Sequence, residues 1–344
     1  METRIALFER WAHPVAAEEL TQFPQLAVEV MAFDNGEAAN WSVLEAAHVY
    51  QARSTRSELP EQFWPGTSLL KRCPNLLAVS TNGSGSDTVD LDACTAAGVM
   101  VVNQAGGNKQ AVAEHALGMM LTLSKRIIQA DRAMRTTEGL ERERYMGNDA
   151  HGKTLGIIGL GHIGTHVAKL ASGLLSMRVI ACDPFIDDSA FAERGAERVA
   201  LEELLTQADF VSVHCPRNAS SELMLDGTAY ARMKPSAYLI TTARGGIHDE
   251  TALAQALSQG QIAGAGLDVW ADEPPPLDHP LLNFDNVLIS PHTAGVTHES
   301  RANVVRITIE QIDTISQGQR PARLLNPDVW PKWQHRYQTI MQKD

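Results

Sequence analysis

The sequence TLGIIGLGHIGTHVAKLASGLLSMRVIACD spans residues 154–183 and has the pattern strand, turn, helix, strand. Its turn is G-x-G-x-x-G, with glycines at Gly159, Gly161 and Gly164, and its second apolar run ends in Asp183. In this context the glycines let a pyrophosphate approach the N-terminus of the helix, and Asp183 is placed to accept from a ribose hydroxyl. The stretch therefore predicts a dinucleotide site; the alternative is a turn that merely happens to be rich in glycine.

The residues after Asp183 bear on which dinucleotide is bound. The segment PFIDDSAF, residues 184–191, adds Asp187 and Asp188 and contains no Lys or Arg. A 2′-phosphate beside Asp183 would meet a like charge. We therefore predict NAD rather than NADP as the cofactor, the alternative being that Asp183 only caps a turn that faces solvent.

Composition and charge exclude several classes of protein. The 344 residues include 29 basic and 41 acidic side chains, a net charge of −12, which argues against nucleic acid as a partner. The four cysteines form no C-x-x-C pair and no disulfide framework. No apolar run approaches the ~18 residues of a membrane span, and METRIALFER (1–10) is unlike a signal peptide. We expect a cytoplasmic protein with no membrane or nucleic-acid partner.

Apolar strand-like runs alternate with helical segments along the chain, as in α/β proteins with parallel sheets. One long, nearly all-apolar helix is predicted from about residue 110 to 135. After the polar segment 136–150, the alternation restarts more clearly. The tail after residue 326 has two tryptophans, Trp330 and Trp333, and no clear period; packing is their expected use.

Three side chains follow predicted strands in the second half: Arg244, Glu273 and His292. Ligands of open α/β sheets bind at the carboxyl ends of strands. Arg244 can hold a carboxylate by two hydrogen bonds, and a proton moves on and off a histidine near neutral pH. An acidic neighbour such as Glu273 would favour the charged form of His292. Taken singly, each residue could also be an ordinary loop or surface side chain.

Longer motifs surround these residues. ITTARGGIHDETALAQALSQGQIAGAGLDVWADEPP (240–275) is followed by NVLISPHTAG (286–295), and NGSGSDTVDLDACTAAGV (82–99) and NQAGGNKQAVAEHALGMML (103–121) precede them. In this order the motifs resemble the D-isomer-specific 2-hydroxyacid dehydrogenase family, from about residue 74 to 326.

The resemblance implies a role for each member of a set of residues. His292 would be the acid/base, Glu273 its partner, and Arg244 the residue that orients the substrate carboxylate and the C2 oxygen. For the substrate, the resemblance implies contacts with Arg53 and with the amides of Gly83, Ser84 and Gly85. Asp268 would accept a hydrogen bond from the nicotinamide carboxamide. The expected cofactor contacts are Gly159, Gly161, His162, Ile163, Gly164, Asp183, Cys215, Pro216, Thr242, Ala243, Asp268 and Gly295. No metal ligand is expected, since His162 and His166 lack a third partner.

The family's architecture implies two Rossmann-like domains, each a doubly wound parallel sheet. An NAD-binding domain, residues 104–295, would be inserted into a substrate domain of residues 1–103 and 296–344. The resemblance also implies a homodimer formed around the long helix. Thr81 stands where many relatives have Arg; Arg53 is a candidate to replace that charge, or it is an arginine that faces solvent.

These features favour an NAD-dependent enzyme that transfers a hydride reversibly between NAD(H) and C2 of a 2-hydroxy or 2-oxo acid of the D series. Two alternatives stay open. One is an NAD-sensing binding scaffold like the C-terminal-binding-protein corepressors, and the other is a relative that oxidises a small donor such as formate or phosphite.

Overall fold

The structure, a computed structural model, describes residues 2–341, and the chain divides into two compact units. Unit 1 contains the chain up to Asn108 and from Val296 onward, and unit 2 is Lys109–Gly295. The segment 104–108, predicted with the cofactor domain, belongs to unit 1. Gln104 explains this, because its side-chain Oε1 accepts from the Gly83 amide and its own amide donates to the Gly83 carbonyl, both at 2.8 Å.

Unit 1 is built on a five-stranded sheet in the order β2-β1-β3-β4-β5, and all of its strand pairs are parallel. Every residue of the three short strands β3, β4 and β5 is buried. Strands that are buried along their whole length are typical of sheets covered by helices on both faces. The strands are β1 (Thr3–Phe8), β2 (Leu26–Met31), β3 (Val49–Gln51), β4 (Ala78–Ser80) and β5 (Met100–Val102).

Among the described residues of unit 1 there are six α-helices, two of them from the C-terminal part of the chain. Two separate apolar clusters lie on the two faces of the sheet, and the last two helices pack on one of them. The helices are α1 (Val15–Glu19), α2 (Glu37–Ala46), α3 (Thr67–Arg72), α4 (Leu91–Ala97), α12 (His298–Ser316) and α13 (Trp330–Met341).

Unit 2 is built on a seven-stranded parallel sheet in the order β12-β11-β10-β9-β6-β7-β8. The chain starts in the middle at β6, moves outward to β7 and β8, then returns to β9 on the other side. In open α/β sheets, ligands bind at such a switch point, beyond the carboxyl ends of the strands. The strands are β6 (Thr154–Ile158), β7 (Arg178–Cys182), β8 (Glu197–Arg198), β9 (Phe210–Val213), β10 (Tyr238–Thr241), β11 (Gly264–Leu267) and β12 (Val287–Ile289).

Helices cover both faces of this sheet, and the two apolar clusters of unit 2 lie between them and the strands. They are α5 (Lys109–Ser124), α6 (Ile127–Thr136), α7 (His162–Leu175), α8 (Asp188–Glu193), α9 (Leu201–Gln207), α10 (Gly227–Arg232) and α11 (Glu250–Ser258). The predicted α/β class with two parallel sheets is confirmed.

The prediction of one helix over 110–135 is wrong, because the chain breaks between α5 and α6. Arg126 adopts a left-handed conformation with φ 55°. The carbonyl of Ser124 accepts from the amide of Asn148 at 2.7 Å instead of from a continuing helix. A distant segment of the chain therefore ends α5, and the local periodicity could not reveal that.

The C-terminal tail forms α13, although its sequence gave no helical signal. Trp333 is fully buried, its indole N–H donates to the Leu77 carbonyl at 2.9 Å, and its ring stacks on Trp330 and Tyr337. The Arg336 guanidinium donates to the carbonyls of Leu76 and Pro74. Packing inside unit 1 is thus the role of the tryptophans.

We expect Trp333→Ala to lower the free energy of unfolding by about 3–5 kcal/mol, the usual cost of truncating a buried aromatic side chain. Trp333→Phe should lower the free energy of unfolding by less, because it keeps an aromatic ring in the core and loses only the hydrogen bond to the Leu77 carbonyl and part of the ring. Urea unfolding followed by circular dichroism measures both. Gln334→Ala, at the next and exposed position, is the control. Equal midpoints for Trp333→Ala and Gln334→Ala would contradict the packing role.

Candidate active site

Two predicted catalytic side chains meet just beyond the sheet edge of unit 2. His292 Nδ1 lies 2.8 Å from Glu273 Oε2, and a carboxylate only accepts, so Nδ1 donates. The other oxygen, Glu273 Oε1, accepts from the Trp270 amide at 3.2 Å. The side chains are 32% and 19% exposed, respectively, so solvent and substrate can reach the ring. Nε2 is the ring atom left for proton exchange.

The surroundings of Glu273 keep it ionised. Burial raises the pKa of Glu273, but the net shift of the pKa is downward. It is lowered by the hydrogen bond from His292, the His292 charge, the hydrogen bond from the Trp270 amide and the Arg244 charge. The Arg244 charge acts on Glu273, and its guanidinium also donates to the Ala243 carbonyl at 2.7 Å. The structure therefore brings Glu273 and His292 into contact, with Arg244 near enough for its charge to act on Glu273.

The parallel register explains this meeting. Arg244 follows β10, Glu273 follows β11 and His292 follows β12, and these three strands are neighbours in the sheet. Gly295, also expected at this site, ends the segment that follows His292 and is the last residue of unit 2. Side chains from well-separated parts of the sequence therefore share one edge.

Asp268 supports the loop that carries His292. Its carboxylate has no exposed surface and accepts from Ser290 Oγ at 2.6 Å, the Thr293 amide at 2.8 Å and the Ala294 amide at 2.9 Å. Its backbone carbonyl accepts from the His292 amide at 2.7 Å. The side chain is thus used inside the protein, and the contact expected with a nicotinamide stays a prediction.

The dinucleotide turn has the tight packing that its glycines predicted. A Cβ on Gly159 would lie 2.6 Å from the Cys215 amide nitrogen, and one on Gly164 would lie 2.2 Å from the Gly159 carbonyl oxygen. At Gly161, which precedes α7, a Cβ would point into open space. A group that approaches the helix N-terminus therefore finds room there, beside His162 and Ile163, and the turn fits a pyrophosphate.

Asp183 closes the turn from the end of β7. One carboxylate oxygen accepts from the Leu160 amide at 2.9 Å and the other from the Phe185 amide at 3.0 Å. Each oxygen retains a lone pair, so Asp183 can still accept from a ribose hydroxyl. The donor set of the turn and this acceptor together fit NAD.

Residues that follow β9 and β10 form the wall predicted for the cofactor. Burial raises the pKa of Cys215 to about 11, so it is a neutral thiol, and burial lowers the pKa of His214 to about 4. The His214 ring lies 2.8 Å from Ser212 Oγ and 3.5 Å from Thr242 Oγ1. Pro216 and Ala243 directly follow Cys215 and Thr242. Their contacts with a cofactor stay predictions.

The predicted substrate residues of unit 1 lie after β3 and β4. The prediction for Gly83 is corrected, because its amide already donates to Gln104 Oε1. Within residues 2–341, the amides of Ser84 and Gly85 have no acceptor, so they remain candidates for a carboxylate. Arg53 does not simply face solvent, because its Nε atom is buried, with no hydrogen-bond partner among the described residues.

Sequence reasoning missed three side chains that support the site. Arg194 donates to the Leu160 carbonyl at 2.6 Å, and nothing in its local sequence signals that contact. Ser290 and His115 contact each other at 3.1 Å, next to Asp268. The position of Ser290, two residues before His292, was the available signal. Across residues 2–341, no three His, Cys, Asp or Glu side chains are arranged to hold a metal, and no helix is long and apolar enough to span a membrane.

Comparisons with known proteins agree with this geometry. Residues 117–294 match the family model described as D-isomer specific 2-hydroxyacid dehydrogenase, NAD binding domain. The chain is 38% identical over 264 residues to D-3-phosphoglycerate dehydrogenase of Archaeoglobus fulgidus, covering 76% of this chain and 50% of that protein. It is 36% identical over 266 residues to glyoxylate reductase of Korarchaeum cryptofilum, covering 76% and 79%.

The fold is similar to a solved structure of D-lactate dehydrogenase from Aquifex aeolicus, complexed with NAD and lactic acid, with a TM-score of 0.79 and 25% sequence identity. The match covers 94% of this chain and 99% of the D-lactate dehydrogenase chain. The chain spans about half the length of the phosphoglycerate dehydrogenases that it matches. The family model covers more than half of the chain, and the glyoxylate reductase aligns over most of both sequences. The chain therefore belongs to the D-isomer specific 2-hydroxyacid dehydrogenase family, with residues 117–294 as its NAD-binding domain.

Proposed function

We propose that this protein is an NAD-dependent oxidoreductase that interconverts a D-2-hydroxy acid and the corresponding 2-oxo acid. One observation carries the proposal: a histidine donates to an ionised glutamate at 2.8 Å, within the field of an arginine, at the edge where this fold binds ligands. A proton donor and a carboxylate-binding cation are what reduction of a 2-oxo acid requires.

Each residue of the site then has a task. Arg244 binds the substrate carboxylate and orients the C2 carbonyl. Charged His292 gives the proton on Nε2 to the C2 oxygen, and Glu273 stabilises the charged ring until that transfer. The Gly159–Gly164 turn would hold the cofactor, which would supply the hydride to C2 as NADH in reduction and accept it as NAD in oxidation. In the oxidative direction, neutral His292 takes the hydroxyl proton.

A panel of 2-oxo acids with NADH tests the proposal. Pyruvate, glyoxylate, hydroxypyruvate and one bulkier acid are each assayed by loss of NADH absorbance. Formate and phosphite are assayed with NAD in the opposite direction. Turnover of a 2-oxo acid supports the proposal. NADH binding without turnover of any compound would instead support the scaffold alternative.

We further propose a homodimer in the cytoplasm. Support for the dimer comes from apolar side chains exposed on and near α6, among them Ile127, Met134 and Met146, which are 52%, 76% and 73% exposed. Exposed apolar patches commonly mark interfaces. Light scattering coupled to size exclusion tests the oligomeric state, and cell fractionation tests the location.

We expect His292→Ala to lower kcat by 10²–10⁴-fold, the typical contribution of a positioned acid, while NADH affinity stays close to that of the parent. The affinity is retained because the dinucleotide turn follows β6, and three strands, β9, β10 and β11, separate β6 from β12, which precedes His292. Turnover and cofactor fluorescence titration on the same sample measure both effects. A variant with more than about a tenth of the parent rate would refute the acid role.

Replacing Glu273 with Gln should move the pH profile of reduction. Glu273 is ionised across the assay range, because its pKa is lowered. Reduction needs charged His292, so kcat/KM falls as pH rises. Without the negative charge next to the ring, the charged form is less stable, and this alkaline limb should shift to lower pH. The acid limb of the oxidation reaction should shift in the same direction.

Profiles from pH 5 to 9 for the parent and Glu273→Gln measure the shift. Asp272→Asn is the matched control, since Asp272 is the exposed neighbour of Glu273 and its loss removes an equal charge. An unmoved limb in Glu273→Gln would reduce Glu273 to a geometric role, and an upward shift would exclude the ion pair.

The cofactor preference should follow from Asp183. Its carboxylate is fixed by the Leu160 and Phe185 amides, so it cannot turn away from a 2′-phosphate without losing them. We expect kcat/KM for NADH to exceed that for NADPH by more than about 100-fold. Asp183→Ser should narrow this ratio, and Asp187→Ser, an exposed control, should leave it unchanged. Equal efficiencies in the parent would show that Asp183 does not select the cofactor.

A further inference from the structure

A chain of polar contacts leads from α5 to the catalytic loop. His115 Nε2 lies 3.1 Å from Ser290 Oγ, and Ser290 Oγ lies 2.6 Å from Asp268 Oδ1. Asp268 in turn binds the amides of Thr293 and Ala294, on the carboxyl side of His292. All of these residues belong to unit 2.

The direction of these hydrogen bonds is set by chemistry. An ionised carboxylate only accepts, so the single proton of the Ser290 hydroxyl is donated to Asp268. The Ser290 oxygen can then only accept from His115, which requires a proton on His115 Nε2. His115 therefore orients the hydroxyl, and the hydroxyl holds the buried carboxylate.

The exposed fractions of the side chains show at which residue this chain of contacts can be disrupted. The Asp268 side chain has no exposure, whereas the His115 side chain is 28% exposed, with Nε2 3.9 Å from Asp268 Oδ1. A buried carboxylate that loses a donor keeps its desolvation cost. The loss of His115 as a donor therefore weakens the support of the loop without opening a cavity in the centre of the core.

The loop needs this support because of its backbone. His292 has φ 54°, in the left-handed region that costs a non-glycine residue free energy. Such a conformation persists only where the surroundings determine it. Here the Asp268 carbonyl binds the His292 amide, and the Asp268 carboxylate binds the two amides that follow.

We propose that His115 is a positioning residue for His292, acting through Ser290 and Asp268. This inference rests on the proposed function, in which His292 transfers the proton. Its consequence is that a side chain on α5, which acts through Ser290 and Asp268, sets the rate of the proton-transfer step and not the affinity for the cofactor.

Four variants test it. His115→Phe keeps a ring and removes the donor, His115→Gln keeps an N–H donor at a similar reach, and Ser290→Ala removes the middle contact. Glu114→Gln, at the exposed neighbouring position on α5, is the control. If His115→Phe does not fold, His115→Asn replaces it, because its side chain is too short to reach Ser290.

We expect His115→Phe and Ser290→Ala each to lower kcat about tenfold, as for one lost hydrogen bond to a charged network, with an unchanged Kd for NADH. His115→Gln should stay within about twofold of the parent. In the double variant His115→Phe/Ser290→Ala, kcat should fall no further than in the single variants, because both changes break the same chain of contacts. A parent-like kcat in His115→Phe, or losses that multiply, would overturn the inference.

Hydrogen exchange at the amides of Thr293 and Ala294 gives a readout that does not need a substrate. Exchange should be faster in His115→Phe and Ser290→Ala than in the parent, His115→Gln and Glu114→Gln. If the parent reduces none of the 2-oxo acids, the proposed function fails, and the exchange data still decide on the positioning role. Unchanged exchange in His115→Phe would reject it.

Discussion

Burial of the Asp268 carboxylate is the constraint around which the active site of this dehydrogenase-family protein is arranged. A charge without exposed surface is costly unless donors surround it. Here the donors come from the loop that carries His292, namely a hydroxyl and two backbone amides. The hydrogen bonds that stabilise the buried charge therefore also fix the shape of the loop, including the strained backbone of His292.

The sheet of unit 2 places the His292 loop next to the other residues of the candidate site. Because β10, β11 and β12 are parallel neighbours, their carboxyl ends place Arg244, Glu273 and His292 together. The dinucleotide turn follows β6 and is packed against Cys215 after β9, where the strand order reverses. Topology thus puts the dinucleotide-type turn and the His292–Glu273 pair along the same edge of one sheet.

Much of this organisation was predictable from the sequence, because it depends on patterns among residues that are close together in the chain. Apolar runs, the glycine turn and the motifs around Arg244, Glu273 and His292 are features of neighbouring residues. The break after α5, the role of Gln104 at Gly83 and the helix at Trp333 depend on partners far along the chain. A pattern within one segment contains no information about such partners, so those features required coordinates.

The net charge of −12 raises a last question, since the proposed cofactor and the proposed substrate are both anions. The turn GLGHIG, residues 159–164, contains no Lys or Arg, so its attraction for phosphate comes from backbone amides at the start of α7. Arg194 contributes indirectly, because its guanidinium holds the carbonyl of Leu160 while Asp183 holds the amide of the same residue. Backbone dipoles at the start of α7 therefore attract phosphate, and Arg194 and Asp183 fix the position of Leu160 within the turn.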